Sequence, residues 1–294
     1  MLRSLFAGIS GLRVNQTMLD VTGNNIANAN TIGFKSSSTV FQDTLSQMLT
    51  AGSAAGGGLG GTNPIQVGLG VQVAATNTNL NQGANQTTGR PTDLMINGDG
   101  MFVVMRGNET TYTRAGAFSW DNSGTLVSPG GGRVQGYTAW DPVTGLHTGA
   151  LADIELPESY DRAADPTATP PVTAATFELS SYEIGRDGKL TATFEDGTKQ
   201  VVAQVALANF NNPMGLARAG ETSFTTTANS GGAELGVAGE GSRGVLSPGS
   251  VEMSNVDLAA EFTNLILAQR GFQASSRVIT TSDQVLEDLV NIKR

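Results

Sequence analysis

Three places in this chain hold residue types that could do chemistry. Asp121-Asn122-Ser123-Gly124 places oxygen ligands close together, but the 12-residue spacing of a calcium loop with its terminal glutamate is absent. The glycine-rich run over 56–61 has the flexibility of a phosphate-binding loop, yet no Gly-Lys-Ser/Thr follows it. His147, the only histidine, has no paired nucleophile or base nearby. We interpret these features as a hairpin turn, a flexible connector and a loop residue, and predict no catalytic, cofactor or metal site.

The composition excludes several classes of function. The 294 residues carry a net charge of −9, which disfavours binding to nucleic acid or to an anionic membrane surface. The absence of cysteine excludes disulfides, thiolate metal sites and cysteine nucleophiles. The first residues lack the apolar run of a signal peptide, and no stretch has the length of a membrane helix. We therefore expect neither membrane insertion nor export through a cleaved signal peptide.

The elements at the two ends of the chain carry an apolar stripe with a seven-residue period. Such a stripe on a helix forms a seam that packs against another helix. We predict terminal helices over 1–28 and 254–294, the second opening near Ser254 or Asn255, paired in a coiled-coil-like rod module. An ordinary helical hairpin inside one core is the alternative. The predicted interface residues are Leu2, Leu5, Ile9, Leu12, Leu19, Ile26, Leu258, Phe262, Leu265, Phe272, Ile279, Leu286 and Val290.

The middle of the chain is predicted to be a β-domain joined to the helices by a connector, which gives an α+β fold. Residues 29–70 are interpreted as a Gly-rich connector with a hinge at Gly56, Gly57 and Gly58, although residues 40–49 could form a short helix. Residues 71–253 are predicted to be the β-domain, and 146–182, which holds four prolines, is a reduced insertion or exposed loop. Hairpins are expected around the turns at 97–100, 121–124 and 195–197.

Several segments resemble the signatures of bacterial flagellar rod and hook proteins. Residues 19–28 (LDVTGNNIAN), followed by 31–35 (TIGFK), are similar to the N-terminal signature of that family. Residues 112–118 (YTRAGAF) resemble a second signature, and 254–258 (SNVDL) with 268–273 (AQRGFQ) a third. The close of the chain, through Lys293 and Arg294, is similar to the hook proteins in particular. Where many hook proteins carry a large outer domain, this chain has only residues 146–182.

The resemblance implies a structural role rather than an enzymatic one. It implies a subunit that polymerises into the flagellar hook, the flexible tubular universal joint between rod and filament that serves bacterial motility. The terminal helices would form an inner tube and the β-domain an outer layer. The implied partners are further copies of itself, the distal rod protein, the hook cap, the hook–filament junction proteins and the flagellar type III export apparatus. The implied location is the extracellular hook. The alternative is a distal rod subunit of the basal body, which this chain matches in size.

Overall fold

The protein is divided into two compact units along its chain. The computed structural model describes residues 2–54, 60–139, 149–162 and 175–292. The helical unit comprises residues 1–29, 36–79 and 256–294, and the β unit comprises residues 30–35 and 80–255. Helices at both ends and a large central β-structure confirm the predicted α+β class.

The helical unit contains two long helices and two strand pairs. Strand β1 pairs antiparallel with β4, with Ser37 opposite Thr78, and β2 pairs antiparallel with β3, with Ser46 opposite Gly68. Helix α1 contacts β1 and β4 as well as α2. The bounds are α1 Leu2–Ala27, β1 Ser37–Asp43, β2 Ser46–Thr50, β3 Ile65–Gly68, β4 Val71–Thr78 and α2 Leu258–Ile292.

The region assigned to a connector by the sequence therefore differs in the structure. Residues 40–49, the possible short helix, lie in β1 and β2 and the link between them, and residues 71–79 belong to the helical unit rather than the β-domain. The reason is pairing across the chain: β1 finds its partner β4 about thirty residues further on, and a local pattern does not reveal that partner.

Helix α2 starts at Leu258, three or four residues beyond the predicted caps. The carboxylate Oδ1 of Asp257 accepts hydrogen bonds from the backbone N–H groups of Ala259 (2.9 Å) and Ala260 (3.3 Å). Asp257 therefore satisfies two of the free N–H groups at the helix start. Ser254 and Asn255 lie before the helix, and Asn255 instead donates its side-chain N–H to the carbonyl of Asn81 at 2.9 Å.

The β unit is built around one sheet of thirteen described strands, and two further strand pairs, β20 with β6 and β21 with β5, complete it. The main path through the sheet is β13-β14-β15-β16-β11-β7-β8-β18-β17, and β16 also pairs with β7 and β19. The bounds are β5 Asn85–Thr87, β6 Leu94–Asn97, β7 Met101–Arg106, β8 Glu109–Thr113, β9 Ser119–Trp120, β10 Leu126–Val127, β11 Arg133–Tyr137, β12 Ala152–Asp153, β13 Ser159–Arg162, β14 Ala175–Ile184, β15 Lys189–Phe194, β16 Lys199–Asn209, β17 Ala217–Gly220, β18 Ser223–Thr225, β19 Glu234–Val237, β20 Val245–Pro248 and β21 Ser250–Glu252.

Two of the three predicted hairpins are confirmed, and one is wrong. Strand β9 pairs with β10 around the turn at 121–124, and β15 pairs with β16 around the turn at 195–197. Strands β6 and β7, which flank residues 97–100, do not pair with each other: β6 pairs with β20, and β7 with β8, β11 and β16. Both strands are almost entirely buried; β6 takes its partner from a distant part of the chain, whereas β7 forms a hairpin with the adjacent β8 and also pairs with the distant β11 and β16.

The β unit has two hydrophobic clusters, one centred on Phe102 and Phe118 and the other on Tyr112 and Phe210. In each cluster the two rings meet edge to face, with centroids 5.1 Å and 4.9 Å apart. The first cluster is filled mainly by Val, Ile, Leu and Ala, whereas, among the described residues, four of the eight buried members of the second are aromatic. Neither α1 nor α2 has a stretch that is apolar enough to cross a lipid bilayer.

Candidate assembly interface

The two helices of the helical unit run antiparallel and approach each other through small residues. A Cβ added to Gly8 would lie 3.1 Å from Ile279, and one added to Gly11 would lie 2.8 Å from Ser275 Oγ. On the other helix, a Cβ on Gly271 would lie 2.5 Å from Asn15 Oδ1. Close helix approach through glycine brings the backbones together and leaves larger side chains at the flanks of the contact.

The far end of the same seam is held by a buried polar residue. Asn25 is 1% exposed, and its Nδ2 donates to Glu261 Oε1 on α2 (2.9 Å) and to the carbonyl of Ser37 at the start of β1 (2.7 Å). Its Oδ1 accepts a hydrogen bond from the N–H of Ser37 at 3.0 Å. One side chain thus fixes the end of α1, the start of β1 and the first turn of α2.

Most of the predicted interface residues flank this seam, and among its closest contacts is only Ile279, which meets Gly8. Side chains of Leu5, Leu12, Leu19, Ile26, Leu265, Ile279 and Leu286 are half-buried, and those of Ile9, Leu258, Phe262, Phe272 and Val290 are exposed. Leu2 lies in α1, but its side chain is outside the described set. The seven-residue repeat is therefore real on both helices, while a large part of its apolar surface faces solvent in the single chain.

Exposed apolar surface is concentrated in the helical unit. Among the described residues, all but three of the exposed large apolar side chains belong to it, and the exceptions are Val201, Met214 and Leu235. Conversely, only Val14 and Ala268 among the buried apolar side chains of the described residues belong to that unit. Soluble single chains rarely leave so much contiguous apolar surface uncovered, so this pattern indicates a surface that another protein covers.

A groove of about 550 Å³ lies between α1 and the strand β4. Phe6, Ile9 and Val14 line it from the helix, and Val71 and Val73 line it from the strand. Arg13 is the one charged residue in its described lining, and Ser10 closes it near Gly70 by accepting a hydrogen bond from the N–H of Val71 at 3.3 Å.

A buried ionic cluster in the β unit is a feature that sequence reasoning missed. Lys35 Nζ lies 2.5 Å from Glu252 Oε1, Arg114 Nη1 lies 3.3 Å from Glu252 Oε2, and the side chains of Lys35 and Glu252 are fully buried. The remaining polar atoms are also bonded: Lys35 donates to the carbonyl of Asn81 (2.8 Å), and the N–H of Gly83 donates to Glu252 Oε1 (2.8 Å). Burial lowers the pKa of Lys35, and the hydrogen bond and charge of Glu252 oppose that shift.

The cluster joins the three segments that carry the family signatures. Lys35 ends the first, Arg114 lies inside the second, and Glu252 lies two residues before the third. Gly33, with φ at +69°, brings the first segment so close to the second that a Cβ would overlap the backbone N of Ala115. The sequence does show a charged residue in or beside each signature, which could have indicated the cluster. Only the folded chain brings the three charges together.

The other predicted sites are placed as follows. The hinge glycines Gly56, Gly57 and Gly58, His147 and the pair Lys293-Arg294 lie outside the described residues, so the hinge stays a prediction. Asp121 is a turn residue whose Oδ1 accepts hydrogen bonds from the N–H groups of Ser123 (2.8 Å) and Thr125 (2.9 Å). Over the described ranges no cluster of three or more His, Asp or Glu is placed to hold a metal ion.

Three family models match segments of this chain. Residues 5–35 match the model described as flagella basal body rod protein, and residues 95–192 match the flagellar hook protein FlgE/F/G D1 domain. Residues 247–292 match the flagellar basal body rod FlgEFG protein C-terminal model. Each match contains one member of the buried ionic cluster.

Complete relatives extend the similarity over the whole chain. The flagellar basal-body rod protein FlgG of Bacillus subtilis is 43% identical over 295 aligned positions, covering 100% of both chains. The flagellar hook protein FlgE of Borreliella burgdorferi is 30% identical over 441 positions, and the rod protein FlgG of the same organism is 32% identical over 297, each with full coverage of both chains.

Proposed function

The chain belongs to the family of flagellar rod and hook proteins, and on that premise we propose that it is a structural subunit that polymerises into the flagellar hook. The exposed apolar surface of the helical unit is the observation that carries the polymerisation. About 25 cal/mol is gained for each Å² of apolar surface removed from water, so covering this surface with neighbouring copies stabilises an assembly. The assembly interface is formed by the residues of the two seven-residue repeats, which stay half-buried or exposed in the single chain.

The choice of hook over rod is supported by the two relatives from one organism. The 441 aligned positions of the Borreliella hook protein exceed the 294 residues of this chain, so many of them are gaps. In numbers of identical residues, 30% of 441 is about 132, whereas 32% of 297 for the Borreliella rod protein is about 95. Comparing two proteins from one organism removes evolutionary distance between species as a cause of the difference.

The second candidate is the distal rod. The full-length similarity to the Bacillus subtilis protein named as a rod component favours it, because 43% of 295 positions is about 127 identical residues without a large insertion. Rod and hook subunits would use the same helical unit for polymerisation, so the two candidates differ in place and in mechanical role.

The remaining parts of the proposal follow from membership of the hook. The subunit would leave the cell through the flagellar type III export apparatus and would contact the distal rod protein, the hook cap and the hook–filament junction proteins. The glycine hinge at residues 56–58 falls within the span of the helical unit and would let that unit change shape as the hook bends. Replacing those three glycines with alanine would then give hooks of normal composition that bend less, as scored by electron microscopy of purified hooks.

A deletion strain tests the place of this subunit. Electron microscopy of basal bodies from that strain should show complete rods without hooks. Loss of the rod tip would instead assign the chain to the distal rod, and intact hooks and rods would refute both candidates.

A single substitution tests the role of the helical unit. Leu265→Asp should block polymerisation while the β unit stays folded, because a charge in an interface that excludes water costs several kcal/mol. Leu235→Asp makes the same change at an exposed leucine of the β unit and should polymerise like the wild type. Normal hooks from Leu265→Asp would refute the proposed interface.

A further inference from the structure

The last turns of α2 present an apolar face that α1 does not cover. The antiparallel register of the two helices is set by three contacts: Gly8 with Ile279, Gly11 with Ser275 and Asn15 with Gly271. In this register the first turn of α1 lies opposite the part of α2 near Asp283. From there the helix continues to Ile292, a stretch that we call the tail (residues 283–292).

The apolar face of the tail continues the side of α2 that packs on α1. At about 100° per residue, Leu286, Leu289 and Val290 lie within about 60° of the direction between Ser275 and Ile279, and Val285 and Ile292 lie about 100° and 120° to one side of it. Four of these side chains are exposed: Val285 (44%), Leu289 (48%), Val290 (67%) and Ile292 (82%). A seam that α1 covers along most of its length thus stays open at this end.

The groove between α1 and β4 has the complementary chemistry. Its lining is mainly apolar, and Phe6 (66%) and Ile9 (40%) are exposed at its edge. Its one charge is Arg13, and α1 carries no acidic residue between Leu2 and Thr17. The tail carries three acidic residues, and the helical geometry places Asp283 and Asp288 on the two edges of its apolar face and Glu287 outside it.

We infer that the tail of one subunit docks into the groove between α1 and β4 of a second copy of this chain, with Arg13 facing an acidic residue of the tail. This inference rests on the proposed polymerisation and names one of its contacts. The contact joins two different surfaces of the subunit, so each copy can accept one neighbour and be accepted by another. Contacts of this heterologous kind that do not close into a ring build open helical filaments.

Engineered cysteines test the contact, because the native chain has none and every disulfide must come from the introduced pair. Gln72 lines the groove, and Leu289 lies on the apolar face of the tail. Polymers of the full chain carrying both Gln72→Cys and Leu289→Cys should give a ladder of covalent oligomers on mild oxidation. Each single variant should give no product larger than a dimer.

A matched control moves one cysteine away from the tail. The pair Gln72→Cys and Met214→Cys uses an exposed residue of the β unit and should give no ladder. Charge reversal is the second measurement: Arg13→Glu should raise the protein concentration needed for polymerisation severalfold, and Asp288→Arg or Asp283→Arg in the same chain should lower it again.

The outcomes separate this inference from the proposed function. Three pairs decide the docking: Leu289→Cys combined in turn with Ile9→Cys, Arg13→Cys and Gln72→Cys. If polymers form normally but none of these pairs gives a ladder, the docking is wrong and the proposed hook function still stands. A deletion strain that keeps its hooks and rods would refute the proposed function whatever the cross-links show. A ladder from the tail pair alone, together with rescue by the second charge reversal, supports the docking.

Discussion

The two units of this chain differ in how far their apolar side chains are exposed to solvent. Among the described residues, the β unit leaves only three of its large apolar side chains exposed and packs many of the others in two clusters, whereas the helical unit leaves most of its own exposed. Phenylalanine illustrates the difference: Phe102 of the β unit is 0% exposed and Phe262 of the helical unit is 52% exposed. A unit of the first kind is stable by itself, and one of the second kind gains much of its stability from neighbours.

Polar groups follow the same division. In the β unit, three ionised side chains are buried and paired with one another, which requires a rigid and complete environment. In the helical unit, the buried Asn25 makes its hydrogen bonds where α1, β1 and α2 meet. Each of the close contacts along the rest of the seam has a glycine on one helix. The comparison indicates that one unit specifies its own fold and the other is completed by assembly.

The largest expected effect comes from breaking the buried ionic cluster. Glu252→Gln removes the only anion that pairs with Lys35 and Arg114 in the described structure, and should destabilise the β unit by about 3 to 5 kcal/mol. Urea denaturation followed by tryptophan fluorescence measures the change in the free energy of unfolding.

The matched control for that change is the exposed pair of Arg106 and Glu221. Its side chains are 55% and 50% exposed, so Glu221→Gln should cost no more than about 1 kcal/mol. Equal effects of the two substitutions would contradict the idea that burial makes the first pair different.

A second test makes one substitution in both units. Phe102→Ala should cost about 3 to 5 kcal/mol, because it leaves a cavity in a closed core. Phe262→Ala should change the free energy of unfolding by less than about 0.5 kcal/mol in the monomer, since its ring is already exposed.

When polymerisation is measured instead of monomer stability, Phe262→Ala should have the larger effect of these two substitutions. Sedimentation of polymers should show a clear loss for Phe262→Ala. If Phe262→Ala destabilised the monomer as much as Phe102→Ala, the helical unit would have a closed core of its own and the comparison would fail.

Limited proteolysis should distinguish the units without any substitution. Cleavage of the monomer should trim roughly the first 30 to 70 and the last 40 residues and leave a fragment that contains residues 80–255, because local opening is easier where few apolar side chains are buried. Polymers should resist the same treatment. Terminal segments that resist protease in a proven monomer would show that assembly is not needed to order them.

The smallest expected effect concerns two glycines of the helices. Gly23 has no atom within 4 Å of an added Cβ, so Gly23→Ala should stabilise α1 by up to about 1 kcal/mol through helix propensity. Gly271→Ala places a Cβ 2.5 Å from Asn15 Oδ1 and should lose that gain. Thermal melting followed by far-ultraviolet circular dichroism compares the two, and equal stabilisation would show that α1 and α2 are not in close contact in solution.

The sequence by itself determined the elements whose signals are local. The seven-residue stripes located both helices, and turn residues located the hairpins at 121–124 and 195–197, because neighbouring residues in the chain decide these structures. The signature segments identified the family, and the match of three family models bears this out.

Only the tertiary structure decided what those elements contact. No local pattern indicates the pairing of β6 with β20, the pairing of β1 with β4, or the meeting of Lys35, Arg114 and Glu252, because each joins residues far apart in sequence. The leucine stripes looked like a seam between the two helices, yet the glycines beside them allow a closer approach, so the helices meet there and leave the stripes partly open. Local pattern fixes which face of a helix is apolar, but the partner of that face depends on which backbones can come closest.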